Sequence, residues 1–142
     1  MPTIRTAHTV WEGNLFEGKG QTTLDTSGLG TYDVTWKARS EDANGKTSPE
    51  ELLAAAHSAC YSMAFSNELD GAGFKAERIE TSSAVGFEPG KGVTGSELTV
   101  TAKIPGISED QFQQIAEKAK VGCPVSQALS GITITLKATL ES

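Results

Sequence analysis

The 142-residue sequence predicts an α+β fold in which antiparallel sheets accompany a central buried helix and a second helix. Three observations predict it. Strand signals come in blocks, three near the amino terminus, two in the middle and one at the end, instead of alternating singly with helices. The segment SPEELLAAAHSACYSMAFSNELDGAGF is apolar or small nearly all round from Leu52 to Phe65, the pattern of a helix covered on several sides. The last strand alternates Ile132, Ile134, Leu136, Ala138 and Leu140, a period of two.

Each element has a local reason. Residues 5–12, with Trp11 near their end, read as a strand, and FEGKGQ offers glycines for the turn that follows. TTLDT continues as strand. TYDVTWKAR then alternates, with Tyr32, Val34, Trp36 and Ala38 on one face, before the polar loop SEDANGKT. Ser48 is a good N-cap for the first helix, Pro49 suits its first position, and Glu51 completes a Ser-x-x-Glu capping box. Gly71 or Gly73 ends it. Strands at 79–87 and 97–104 follow, joined by EPGKGVTG as a loose hairpin loop. The second of them alternates Leu98, Val100, Ala102 and Ile104. The second helix opens at PGISEDQFQQIAEKAK, where Ser108 caps, Gln111 closes the box and Ile107 staples to Phe112. Gly122 is expected to end that helix with positive φ. Pro124 to Leu129 forms one more helical turn, with Cys123 at its N-cap. The order βββ-α-ββ-α-α-β is read as a single domain over residues 1–142. Its first three strands make a small sheet, marginal alone, for which pairing with a second chain is a remedy.

Composition narrows the function. With 37% hydrophobic and 21% charged residues the chain reads as globular, and a net charge of -6 argues against nucleic-acid or anionic-membrane partners. The opening MPTIRTAHTV has no apolar h-region and no run of 18 apolar residues occurs, so neither a signal peptide nor a membrane span is expected, and the compartment is taken as cytoplasmic. Thiols are kept reduced there. Cys60 and Cys123 therefore read as catalytic, redox-active or buried in preference to a permanent staple.

Cys60 lies mid-helix, sharing a face with Leu53, Ala56, Met63 and Ala64. It reads either as a small core residue or as a thiolate that needs a stabilising charge, for which Arg39 and Lys46 are nearest upstream. Cys123, before a proline, stands where helix N–H groups favour an anion, a suitable place for a thiol that attacks or is attacked. His8 and His57 complete four possible zinc ligands, but no Cys-x2-Cys or His-x3–5-His spacing is present. No metal and no cofactor are expected. His57 reads as a partly buried helix histidine.

SPEELLAAAHSACYSMAFS resembles the reactive-cysteine helix of the OsmC/Ohr family of thiol-dependent organic hydroperoxide reductases, and KAKVGCPVSQAL resembles the family's second-cysteine segment. HTVWEGNLFEGKG looks like the OsmC amino-terminal strand pair, and the PGI before the second helix also fits. The resemblance spans essentially the whole chain. It implies an OsmC-like, intertwined homodimer in which Cys60 is the peroxidatic cysteine, Cys123 the resolving cysteine, Glu50 the catalytic glutamate and Arg39 the arginine of the OsmC branch. With Lys19 and no arginine between Arg5 and Arg39, the chain sides with OsmC and not Ohr. Arg39 can stabilise the Cys60 thiolate and a departing alkoxide, with Glu50 gripping the guanidinium. Glu50 and Cys60 are ten residues apart on one predicted helix, ~15 Å of rise, which favours Glu50 serving the Cys60 of a partner chain. The expected activity is a peroxidase: organic hydroperoxide is reduced to alcohol, a Cys60–Cys123 disulfide forms, and an external dithiol, lipoyl-type by resemblance to the Ohr branch, restores the thiols. Leu53 and Met63, with Tyr61 or Phe65 further round, are expected to face the substrate. The alternative is a non-enzymatic ligand-binding or structural stress protein on the same fold.

Overall fold

A computed structural model describes residues 1–142. The chain divides into two compact units, Met1–Leu52 and Leu53–Ser142. No helix is long and apolar enough to cross a membrane.

The first unit holds β1 (Ala7–Glu12), β2 (Lys19–Leu24) and β3 (Thr31–Val34), antiparallel in the order β1-β2-β3. The alternation of Tyr32, Val34, Trp36 and Ala38 does not continue as strand. It stops at Val34, and Trp36–Ser40 forms α1, because the Thr35 hydroxyl accepts from the Ala38 amide and caps the helix. The unit ends in the first residues of α2 (Pro49–Gly71). Ser48 caps that helix as expected, accepting from the Glu51 amide at 3.1 Å, while the Glu51 carboxylate accepts from the Thr47 hydroxyl. The far end of α2 is a Schellman turn. Gly73 has φ +87°, and Phe74 donates to the Leu69 carbonyl at 2.9 Å while Gly73 donates to Asp70 at 3.1 Å.

The second unit continues α2 and adds β4 (Arg78–Glu88), β5 (Gly92–Lys103), α3 (Glu109–Gly122), α4 (Pro124–Ala128) and β6 (Thr133–Glu141), with sheet order β4-β5-β6. The fold is α+β as the strand blocks predict. Three strand pairs are antiparallel and one is not: β6 runs parallel to β5, Leu98 opposite Leu136. The reason is the crossover between them, since α3 and α4 carry the chain back to the starting end of β5. EPGKGVTG is tighter than a loose loop. Gly90 and Gly92 take positive φ, β5 already begins at Gly92, and a bulge at Gly86/Phe87 absorbs the register change.

The core lies wholly in the second unit. On α2 the buried side chains His57, Tyr61, Phe65 and Leu69 recur every four residues, so that face is sealed. The helix is not covered all round: Met63 remains 72% exposed. Phe65 meets Phe112 of α3 edge-on at 5.7 Å, and Leu98, Val100 and Ala102 of β5 fill the other side. Ser108 and Gln111 form the full reciprocal capping box at the start of α3. Its end differs from expectation, since Gly122 is not among the positive-φ residues. Pro124 does the work instead. A residue before proline is disfavoured in the helical region, and Cys123 accordingly adopts φ -61°, ψ 123°, closing α3 and opening α4.

Candidate active site

The four residues singled out in the sequence form two pairs, one in each unit. In Met1–Leu52, Arg39 sits in the last turn of α1 and Glu50 in the first turn of α2. The Thr35 cap fixes where α1 begins, and the Ser48 cap with Pro49 fixes the start of α2. The Arg39 guanidinium grips the buried Glu50 carboxylate in a fork, Nε donating to Oε1 at 3.0 Å and Nη2 to Oε2 at 2.9 Å. Two parallel charge-assisted bonds hold both position and orientation of the guanidinium. Arg39 also borders a cavity of about 360 Å³ lined by Trp11, Leu15, Val34, Trp36 and Leu52. The sequence did not single out these apolar residues. Their only signal is that two tryptophans sit in a chain with few aromatics.

In Leu53–Ser142, Cys60 on α2 and Cys123 between α3 and α4 are both free thiols, their sulfurs 3.1 Å apart. Cys60 is partly exposed and Cys123 fully buried. Cys123 is thus the N-cap residue of α4, as expected, but it is not open to solvent. The surroundings move the two thiols in opposite directions. Burial pushes the Cys60 thiol up, and the hydrogen bond it shares with Cys123 adds to that, against a smaller opposing effect of the Val125 amide. Burial also acts to raise Cys123, but the hydrogen bond shared with Cys60, the Ser126 amide and hydroxyl and the Val125 amide together outweigh it, so its pKa is lowered. Cys123 makes no formal capping bond; the first turn of α4 favours its anion through these nearby dipoles.

Next to the thiols lies a group of polar side chains in which sequence reasoning saw only a partly buried histidine. His57 is 0% exposed. Its Nδ1 is 2.6 Å from the Ser96 hydroxyl and its Nε2 is 2.8 Å from the Ser126 hydroxyl. Ser96 in turn lies 2.8 Å from the hydroxyl of Ser83. Burial lowers the pKa of His57, and no buried side-chain nitrogen or oxygen is left without a partner. The legible clues were short-range: His57 one helical turn before Cys60, and Ser126 one turn after Cys123. Tyr61 and Phe65 do not face a substrate. Both are core residues, and the Tyr61 hydroxyl donates to the Ala116 carbonyl at 2.9 Å. No three His, Cys, Asp or Glu side chains converge to hold a metal ion.

The protein-family model described as OsmC-like protein matches residues 40–137. Peroxiredoxin OsmC of Escherichia coli K12 is 40% identical over 135 residues, which cover 93% of this chain and 93% of that protein. Among solved structures, an OsmC-like protein from Mycoplasma pneumoniae superposes with a TM-score of 0.75 over 100% of both chains at 15% identity, a likeness of fold. An organic hydroperoxide resistance protein from Elizabethkingia anophelis, with crystallant-derived thiocyanate bound, gives a TM-score of 0.66 at 27% identity, covering 100% of this chain and 99% of that one. Both cysteine segments fall within the matched stretch, most of the chain is spanned, and the chain belongs to the OsmC family.

Proposed function

We propose that the protein is a thiol-dependent peroxidase that reduces organic hydroperoxides, with Cys60 as the peroxidatic and Cys123 as the resolving cysteine. The observation that carries this reading is the pair of reduced sulfurs, 3.1 Å apart in space and 63 residues apart in sequence. The relatives' names, peroxiredoxin and organic hydroperoxide resistance protein, support the same chemistry.

The Cys60 thiolate attacks the terminal oxygen of the hydroperoxide. The O–O bond breaks, the alkoxide takes a proton to leave as alcohol, and Cys60 becomes a sulfenic acid. Cys123 then attacks the Cys60 sulfur, water departs, and the disulfide is returned to two thiols by an external dithiol, lipoyl-type in our reading. Because burial raises the Cys60 pKa, ionisation calls for a cation. We assign that role to Arg39, with Glu50 holding the guanidinium in line. The cavity beside Arg39, walled by Trp11, Leu15 and Trp36, suits an alkyl or aryl group.

The ten-residue helical spacing of Glu50 and Cys60 favours a site shared between two chains, and hence a homodimer. The first unit supports this independently. It contributes none of the buried core residues and leaves Val10, Leu15, Phe16 and Leu29 exposed, an apolar surface in need of a partner. The 142 residues act in this reading as one OsmC-like domain, working in the reducing cytoplasm.

Intact-mass measurement after one equivalent of cumene hydroperoxide tests the reading. Each reduced chain should lose two hydrogens, and a dithiol should restore them. An unchanged mass would favour a ligand-binding protein with unreactive thiols.

A further inference from the structure

The peroxide chemistry leaves the buried imidazole of His57 without a task. We propose that His57 is a positioning and relay residue for Cys123, and that Ser126, His57, Ser96 and Ser83 form a buried path along which the Cys123 thiol gives up its proton as the disulfide closes. The inference rests on the reading of Cys60 and Cys123 as a peroxidatic and resolving pair.

The geometry points to a relay and not to a filler. Cys123 is 0% exposed, so water has no direct access to its proton. Ser126 stands three residues after Cys123 in the first turn of α4, and its hydroxyl acts on the Cys123 thiol; from Ser126 the path runs through His57 Nε2 at 2.8 Å, from Nδ1 to Ser96 at 2.6 Å, and on to Ser83 at 2.8 Å. Four elements, α4, α2, β5 and β4, each supply a member. His57, Ser96 and Ser126 are buried, whereas Ser83 at the far end is only half-buried. The path therefore links a sealed thiol to a partly open hydroxyl.

Every member can both donate and accept. With Cys123 as a thiol, the S–H that donates to Cys60 in the resting pair turns to donate to Ser126, Ser126 donates to Nε2, and Nδ1–H donates to Ser96. With Cys123 as a thiolate, each bond reverses: Ser126 donates to the sulfur, Nε2–H donates to Ser126, and Ser96 donates to Nδ1. The two states differ by hydroxyl rotation and by the tautomer of one ring, and neither leaves a buried polar atom unpaired. Only a neutral imidazole can do this, since an imidazolium donates from both nitrogens. Burial lowers the His57 pKa and so favours that neutral form.

The closing step then balances. The Cys123 S–H bond breaks, and its electron pair forms the S–S bond to the Cys60 sulfenic sulfur. The Cys60 S–O bond breaks, and the hydroxide leaves as water after taking one proton from solvent. One proton enters the path at Ser126 and one leaves it at Ser83. The thiol pair supplies both electrons, so no further oxidant or reductant is needed.

The test separates the two steps by rapid mixing with one equivalent of cumene hydroperoxide, acid quenching and intact mass. Gain of one oxygen reports the sulfenic acid, and loss of two hydrogens reports closure. His57→Gln retains a donor and an acceptor but cannot exchange them. Closure in this variant should slow by about 10²-fold or more, far more than oxygen uptake, and the sulfenic acid should accumulate and be trapped by dimedone. Ser126→Ala should slow closure comparably, and the double variant should be no slower than the worse single one, because both lesions cut one path. Closure at the wild-type rate in either variant, or an equal slowing of both steps, would overturn the relay. If His57→Gln gives no cooperative melt, Ser126→Ala decides alone, since it leaves the imidazole in place. A wild type that takes up no oxygen sinks the peroxidase reading together with this one. A wild type that reacts beside variants that close normally sinks only the relay.

Discussion

One prolyl ring decides where Cys123 stands. By excluding Cys123 from the helical region it ends α3 and starts α4 in a single residue, and it leaves the sulfur against Cys60. The roles assigned to the two thiols can be read from single substitutions. Cys60→Ser should consume no peroxide, because the attacking atom is gone. Cys123→Ser should consume about one equivalent and stop at a sulfenic acid. Peroxide consumption per chain checks this, and a Cys123→Ser protein unable to react even once would reverse the assignment. His57 has a consequence for stability as well. Its native pKa is lowered by burial, so between that value and its unfolded value of about 6.5 the unfolded chain binds more protons than the native one. The sign follows: the stabilising contribution is complete above about pH 6.5 and is lost as pH falls through the native pKa. The melting temperature of the wild type should drop on acidification below pH ~6.5, and that of His57→Gln should drop less steeply.

At the scale of elements, caps define the helices that hold the site. Thr35, Ser48 and Ser108 each accept an amide of the first turn, and the first two set where Arg39 and Glu50 meet. The other end of α2 depends on Gly73 in the left-handed region at φ +87°, where an added Cβ would meet nothing within 4 Å. Replacement by alanine therefore carries only the backbone penalty, about 1–2 kcal/mol. Urea unfolding of Gly73→Ala should show a lower midpoint at unchanged slope. A midpoint equal to the wild type's would mean that the Schellman turn relaxes at no cost. Peroxide turnover should survive this change, because the site lies more than three helical turns away along α2.

At the scale of the whole molecule, the question is whether one chain is enough. The first unit has strands and caps but no buried apolar core, and a three-stranded sheet of that kind is marginal in water. If Glu50 serves the Cys60 of a partner, as proposed, two inactive proteins should complement each other. Mixing Glu50→Ala with Cys60→Ser under conditions that exchange subunits would give heterodimers with one site carrying both lesions and one intact. Activity should rise from background toward one working site per heterodimer. Confirmed exchange with no recovery would place each site within a single chain while leaving the peroxidase chemistry intact.

Features that depend on near neighbours were legible from the amino-acid order. The two main helices, the caps Ser48 and Ser108, the break at Pro124 and the strand blocks are all set by interactions within one helical turn or one strand period. The two cysteines were also legible, because each sits in a distinctive local segment. Local pattern misled at Thr35, where the alternation of Tyr32, Val34, Trp36 and Ala38 fits a strand as well as it fits a capped turn. Folding alone brought about the parallel pairing of β6 with β5, the 3.1 Å approach of the sulfurs and the partners of His57, which come from 39 and 69 residues away. All three have one cause. Pairing between distant segments depends on which chain ends the crossover and the core bring together, and no short stretch of sequence encodes that.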